Sequence, residues 1–529
     1  MLVLVMGLPI LWLSLSALGA TGAGGGLGAA MLPTALRETA TLMGWVGLAA
    51  GGLGLVAAWL TTHFDFPGRR LFDWALILPL AVPTYLAAYS YVEFLDFTGP
   101  VQQALRALTG AETIRDYWFP QIKSPTGAAL VLSLVLYPYV YVACRTFFLM
   151  QSGSVGAASR TLGASGLRTF FTIILPLSRP ALVAGISLAM MEVLNDLGAV
   201  QYFGVNSLTA VIYSTWINRS NFGGAAQLAV TIVLIVAALI LVEQRARRDR
   251  VYQLHRDSRV APPRETLAGR HAAGASLFCG VLLVGGFGVP VGELVVLAVR
   301  NLGPNALEAA LGAGLTTVLL AGAGALLTVG IGLFAARIGG ARGSRGAHAA
   351  IRVATLGYAI PGTVLALGLL QPLGQADLWI NRASMALFDW RPGLVLSGSV
   401  AALLYVYAIR FLAVSHSTLD AAMRRRGEQM LDAGRVLGVT GWRLLLSVDL
   451  PSLSPALLSA ATLVFVEIVK ELPATLLLRP LGVETLATMV YARANVSLFT
   501  EAALPALGIV LVGVLPVILA TRFSDRRIG

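Results

Sequence analysis

Charge is scarce in this chain. Asp, Glu, Lys and Arg make up 12% of its 529 residues, about half the roughly 25% share of an average soluble domain. With a hydrophobic share of 57% and a mean hydropathy of +0.78, that scarcity excludes an ordinary water-soluble globule and leaves an integral membrane protein. A spanning helix uses about 20 apolar residues, so a dozen spans occupy roughly 240 residues and leave mostly short loops. No room remains for a large catalytic domain outside the membrane, and the chain is not expected to be an enzyme.

Lysine is scarcer still. Lys123 and Lys470 are the only two, and neither follows the glycine that a phosphate-binding loop of the Gly-Lys-Ser/Thr type requires, so that ATP site is absent. Cys144 and Cys279 are the only cysteines, too few and too far apart for a Cys-based metal site or a disulfide framework. The five histidines, His63, His255, His271, His348 and His416, are scattered. No metal site, catalytic group or cofactor is evident.

Apolar runs are abundant. About twelve candidate spans centre on residues 2–20, 42–60, 74–92, 127–144, 181–203, 223–242, 272–292, 309–336, 353–376, 393–409, 456–478 and 502–521. The first has no basic residue before it, as a secretory signal would, and is read as a span. With the N-terminus placed inside, 27 of the 38 Lys and Arg residues, Arg410 among them, fall in cytoplasmic segments, which argues for both termini cytoplasmic. The same asymmetry accounts for the net charge of +12 without nucleic acid. The Arg-rich stretch 244–271, broken by Pro262 and Pro263, reads as a cytoplasmic linker between a first half, 1–243, and a second, 272–529.

The halves are related. LGASGLRTFFTIILPLSRPAL from Leu162 aligns with LGVTGWRLLLSVDLPSLSPAL from Leu437, pairing Gly163 with Gly438, Pro176 with Pro451 and Glu192 with Glu467 at a constant offset of 275. Six spans per half is an even number, so the expected fold is an all-α integral membrane protein of about twelve transmembrane helices in two parallel six-helix repeats. The centre between the halves is then the natural substrate path. The best-matched segment is a cytoplasmic loop rather than a span, although loops are ordinarily the variable part of a chain. Its residues suit a short helix, a left-handed glycine cap at Gly163, and a second helix over Leu167–Leu175 stopped at Pro176.

In these loops the sequence resembles the membrane subunits of binding-protein-dependent ABC importers. Their signature reads EAA, three residues, Gly, nine residues, Ile, one residue, Leu-Pro. The first copy here has Ala157, Ala158, Ser159, Gly163, Ile173, Leu175 and Pro176; the second has Asp432, Ala433, Gly434, Gly438, Val448, Leu450 and Pro451. The first lacks the leading acid and the second carries Asp for Glu. The resemblance implies a fused pair of permease units in a bacterial cytoplasmic (inner) membrane, embedded in lipid. It implies that the loops seat in separate ATPase subunits, expected as a dimer on the cytoplasmic face, while an external binding protein delivers the substrate. The alternative is that the glycines merely cap interfacial helices and the prolines mark the entrances to spans.

Only the fifth and eleventh windows contain ionisable residues: Glu192 and Asp196 in one, Glu467, Lys470 and Glu471 in the other. A charge at the bilayer centre costs roughly 2.5–3.5 kcal/mol on insertion scales, so these groups should face a path or a partner. Helical spacing would stack Glu192 on Asp196 and Glu467 on Glu471, with Lys470 partly neutralising the second pair and Pro473 loosening the eleventh helix. A structural network pinning the two halves is the competing reading. The stretches 198–216 and 469–487 resemble ferric-iron importer permeases more than the thiamine, phosphonate, sulfate or polyamine branches. A secondary transporter of the major-facilitator type shares the span count but lacks the paired loops.

Overall fold

The computed structural model describes residues 2–19, 23–150, 166–248, 264–339, 344–426, 430, 436–437, 439 and 441–525. Hydrocarbon offers the backbone no hydrogen-bond partner, so the apolar runs satisfy their own amides as helices. The first half contributes α1 (Leu2–Gly19), α2 (Ala23–His63), α3 (Thr84–Leu95), α4 (Pro125–Met150), α5 (Leu175–Asn195), α6 (Gly198–Tyr202), α7 (Leu208–Ile217) and α8 (Phe222–Arg248). The second contributes α9 (Gly269–Leu283), α10 (Val289–Arg300), α11 (Pro304–Ile338), α12 (Arg345–Ala354), α13 (Gly362–Phe388), α14 (Val400–Arg426), α15 (Leu450–Lys470), α16 (Pro473–Leu478), α17 (Leu486–Asn495) and α18 (Phe499–Asp525). Among the described residues, eight helices are long and apolar enough to cross a membrane, and ten crossings result if each of two bent pairs counts as one span. The first and last windows carry shorter apolar stretches, Gly7–Gly19 and Phe499–Val514. A two-residue parallel pair, β1 (Phe64–Asp65) with β2 (Glu265–Thr266), joins the described end of the linker to the end of α2.

The repeat extends to individual hydrogen bonds. The Thr39 hydroxyl accepts the Leu208 amide at 2.9 Å, and the Thr317 hydroxyl accepts the Leu486 amide at 2.8 Å; the members of each pair are 169 residues apart.

Two compact units emerge, and each draws on both halves of the sequence. One gathers Met1–Ala29, Ile212–Val230 and Gly303–Ala492; the other gathers Ala30–Val211, Thr231–Leu302 and Arg493–Gly529. In the first unit α1 packs on α13: Trp12 Nε1 donates to Gln371 Oε1 at 2.8 Å, and Pro9 lies so close to Gly368 that a Cβ there would meet its carbonyl oxygen at 2.4 Å. Val329 and Ala336 of α11, Leu419 of α14 and Ala460 of α15 form an apolar cluster in the same unit. In the second unit α10 packs on α3 and α18, and the Tyr91 hydroxyl donates to the Gly285 carbonyl at 2.6 Å.

The helix expected to stop at Pro176 does not stop there. Gly166–Thr169 runs through a π turn, Phe170–Ile174, directly into α5, and Gly441–Leu444 runs through a second π turn, Leu445–Asp449, into α15. The Leu175 amide reaches back five residues to the Phe170 carbonyl. The wider turn gives the Pro176 ring the room that a regular i−4 ladder denies it. Arg410 is also not a loop residue: it lies within α14 and is 5% exposed, so it drops out of the cytoplasmic charge count.

In the second unit α4 and α5 pack at a glycine: a Cβ on Gly185 would lie 2.6 Å from Val140 Cα and 3.1 Å from the Tyr139 carbonyl oxygen. We expect Gly185→Ala to cost about 1–3 kcal/mol through forced separation of the helices. Gly322→Ala, where nothing lies within 4 Å, should be neutral. Thermal melting of the detergent-solubilised protein checks the contrast, and equal midpoints for the two variants would refute it.

Candidate functional site

Each unit holds two interrupted spans, and in each one intramembrane carboxylate, Asp196 or Glu471, stands at an interruption. In the first unit, the 3-10 turn Thr355–Ala359 gives way to Ile360 (φ −89°, ψ 130°) and Pro361 (φ −55°, ψ 141°), both extended. The axis bends by 112° before α13. Span eleven breaks where Glu471 becomes extended (φ −71°, ψ 110°), and Pro473 opens α16. Proline suits that position because its missing N–H would have no helical partner in the first turn.

Glu471 joins these breaks. Its Oε1 accepts the Ala474 amide at 3.0 Å, capping α16, while Oε2 lies 2.9 Å from Arg410 Nε. Arg410 Nη1 donates to the Ile360 carbonyl at 3.3 Å. The two side chains are 6% and 4% exposed, so each charge depends on the other for compensation. The Thr475 hydroxyl donates to the Glu471 carbonyl at 2.8 Å and lies 2.6 Å from the Tyr407 hydroxyl. Gly362 makes room for the pair: a Cβ there would fall 2.5 Å from Glu471 Oε1 and 3.1 Å from Arg410 Nη1.

The second unit repeats the backbone with different side chains. Val82 (φ −96°, ψ 111°) and Pro83 (φ −55°, ψ 143°) interrupt span three, which bends by 94°. Asp196 (φ −68°, ψ 125°) ends α5, and its Oδ1 accepts the Ala199 amide at 2.8 Å. It is buried beside the Thr84 side chain, and no cation is paired with it among the described residues. The shorter carboxylate therefore faces a hydroxyl where the longer one meets a guanidinium.

The helices carrying Glu192 and Glu467 end at Asn195 and Lys470, and the second acid of each pair, expected to stack on the first, bonds to the segment that follows: Asp196 to the Ala199 amide and Glu471 to the Ala474 amide. Lys470 lies 3.0 Å from Glu467 Oε1, whereas Glu471 takes Arg410 instead. Glu192 and Glu467 are half-buried. Of the loop residues, Leu175, Pro176, Leu450 and Pro451 form the first turns of α5 and α15. Ala157, Ala158, Gly163, Asp432, Ala433 and Gly438 lie outside the described residues.

Sequence reasoning missed Arg410, Thr84 and Gly362. Arg410 was legible in one respect, since Phe411-Leu412-Ala413-Val414 follow it: an arginine with apolar residues on both sides is inside a span rather than at its end. Pro83 and Pro361, each in the middle of an apolar window, were the corresponding signals of a break.

Comparison with known proteins matches residues 50–248 and 328–529 to the family described as the binding-protein-dependent transport system inner membrane component. The chain is 25% identical over 501 residues to the Fe(3+)-transport system permease protein FbpB 2 of Haemophilus influenzae, covering 92% of this chain and 90% of that protein. It is 30% identical over 204 residues to the molybdenum transport system permease protein ModB of Escherichia coli, covering 37% of this chain and 86% of that protein. It is 28% identical over 197 residues to the sulfate transport system permease protein CysT of Salmonella typhimurium, covering 36% and 67%.

Arg410→Met leaves Glu471 buried and uncompensated, and we expect it to cost about 3–5 kcal/mol. Arg410→Met/Glu471→Gln, which removes both charges, should recover most of that loss. Melting midpoints of the purified proteins check both statements. A single variant as stable as the parent would show that the pair contributes no stability.

Proposed function

Because the chain belongs to the family of binding-protein-dependent transport system inner membrane components, we propose that it is the fused permease of an ATP-driven importer that moves ferric iron into the cytoplasm. In this reading the iron is cargo, delivered by an external binding protein, and ATP is hydrolysed by separate subunits on the cytoplasmic face. The observation that carries the iron assignment is the likeness along 92% of the chain to an Fe(3+)-transport permease; the molybdenum and sulfate relatives match little more than a third. The intramembrane acids favour the same cargo, since carboxylates along a path attract a cation and repel an oxyanion. The 30% identity to the molybdenum permease keeps an oxyanion as the second reading.

Glu192, Glu467 and Lys470 are assigned to the path, while Asp196 and Glu471, as helix caps, hold its walls in shape. The loops around Ala157, Ala158, Gly163, Leu175 and Pro176, and around Asp432, Ala433, Gly438, Leu450 and Pro451, are assigned to ATPase coupling. The orientation follows from the arginine asymmetry: inner membrane, with both termini cytoplasmic. Cys144 and Cys279 are buried, so a cysteine introduced at Ser258 can be labelled against a low background. An impermeant reagent should reach it only from the cytoplasm, and labelling from outside in intact cells would reverse the orientation.

Proteoliposomes holding the permease with its ATPase and binding protein should take up ferric iron. Molybdate, sulfate or thiamine uptake without iron uptake would overturn the cargo. Glu467→Gln should lower iron uptake at least fivefold with its melting midpoint and ATP hydrolysis retained. Uptake at the parental rate would remove Glu467 from the path. Gly163→Pro and Gly438→Pro should lose co-purifying ATPase before they lose expression; an unchanged ATPase yield would mean that the loops do not couple.

A further inference from the structure

Of three π turns among the described residues, Phe170–Ile174 and Leu445–Asp449 are 275 residues apart at both ends; the third, Val284–Gly288, likewise runs into a helix whose second residue is a proline, Pro290, as Pro176 and Pro451 are in α5 and α15. A π turn is a rare, poorly favoured geometry that tends to mark functional positions. The proline that follows accounts for the geometry of all three, and two of them place it at the joint between a cytoplasmic loop and the span that follows.

Different interactions hold the two joints. At the first, Trp59 of α2 packs on Phe170, with ring centroids 4.6 Å apart, and Phe170 is buried. At the second, Arg337 in the last turn of α11 meets Asp449, the final residue of the π turn, with Nη1 2.6 Å from Oδ2. The Asp449 side chain is 2% exposed and the Arg337 side chain 35%, so the carboxylate is inside and the guanidinium reaches in from the surface. Arg337 lies at the C-terminus of α11, where the helix macrodipole favours a cation. The apolar cluster of Val329, Ala336, Leu419 and Ala460 lies on the same helices, α11, α14 and α15. Ala336 immediately precedes Arg337, so the ion pair closes one end of that packing.

We propose that Arg337 and Asp449 are positioning residues of the transport cycle: their ion pair braces the second loop-to-span joint so that movement of the loop is passed to α15 instead of being absorbed in the π turn. This rests on the assignment of the 432–451 segment to ATPase coupling. At the first joint Ile174 stands where Asp449 does in the second, and the Trp59–Phe170 contact packs there.

The test uses the complete complex with its ATPase, and the binding protein purified with its native cargo, so that it does not depend on which cargo is carried. Arg337→Gln alone leaves Asp449 buried and unpaired and so mixes stability with coupling. Arg337→Gln/Asp449→Asn removes both charges, and its melting midpoint should lie within a few degrees of the parent. Stimulation of ATP hydrolysis by the loaded binding protein should fall at least fivefold in the double variant. It should stay within twofold of parental in Arg337→Lys, which keeps the cation. The proposal is overturned if the double variant retains stimulation within twofold of parental, or if Arg337→Lys falls as far as the double variant. If the parental chain itself retains no ATPase, the coupling assignment fails and the brace falls with it; a parental complex with normal stimulation in the double variant removes only the brace.

Discussion

A backbone in hydrocarbon has no water to turn to, and that constraint governs how this protein can interrupt its own spans. Wherever a helix stops inside the membrane, freed amides and carbonyls must find partners, or each costs several kcal/mol. The four interruptions meet this requirement with few residues. Asp196 and Glu471 cap the helices that follow them, Arg410 takes the Ile360 carbonyl, and Pro83, Pro361 and Pro473 stand where an amide hydrogen would have no acceptor. The acids that look like an aligned ladder in the sequence are therefore divided between two tasks. One member of each pair holds a break, and the other stays on the helix that precedes it.

The two halves keep the backbone and exchange the chemistry. Pro83 and Pro361 have nearly the same φ and ψ, and both spans bend by more than 90° after the same kind of 3-10 turn. Yet one half fills the site with Asp196 and Thr84, and the other with Glu471, Gly362 and Arg410. The substitutions compensate one another: a smaller neighbour, Gly362, leaves space for the longer carboxylate and the guanidinium, and the guanidinium supplies the charge that the acid needs once it is buried. A duplicated geometry can thus persist while its two copies become electrostatically distinct. The same division recurs at the π turns, where Trp59 and Phe170 hold one joint and Arg337 and Asp449 the other.

Fold class, repeat and family were legible in the sequence because each depends on local or periodic information. Apolar runs near 20 residues long announce helices whatever surrounds them, and each of the twelve windows carries one. A constant offset of 275 announces a repeat, and the paired Gly and Leu-Pro motifs announce the family later matched along 50–248 and 328–529. The partner of Glu471 was not legible. Arg410 is 61 residues away in sequence, on a different span, and a window that ended at residue 409 set it on the wrong side of the boundary.

The sequence by itself determined that this chain is a membrane protein built twice over, which residues form its helices, and which few charges lie within them. It could do so because hydrophobic period and internal similarity survive without knowledge of neighbours. The tertiary structure alone decided how the halves share their helices: α1 packs with α13 and α10 with α3, and no property of an isolated apolar helix selects its partner. It also decided what each intramembrane charge does, because a carboxylate becomes a cap, an ion-pair member or a path residue only through the donors that folding brings to it.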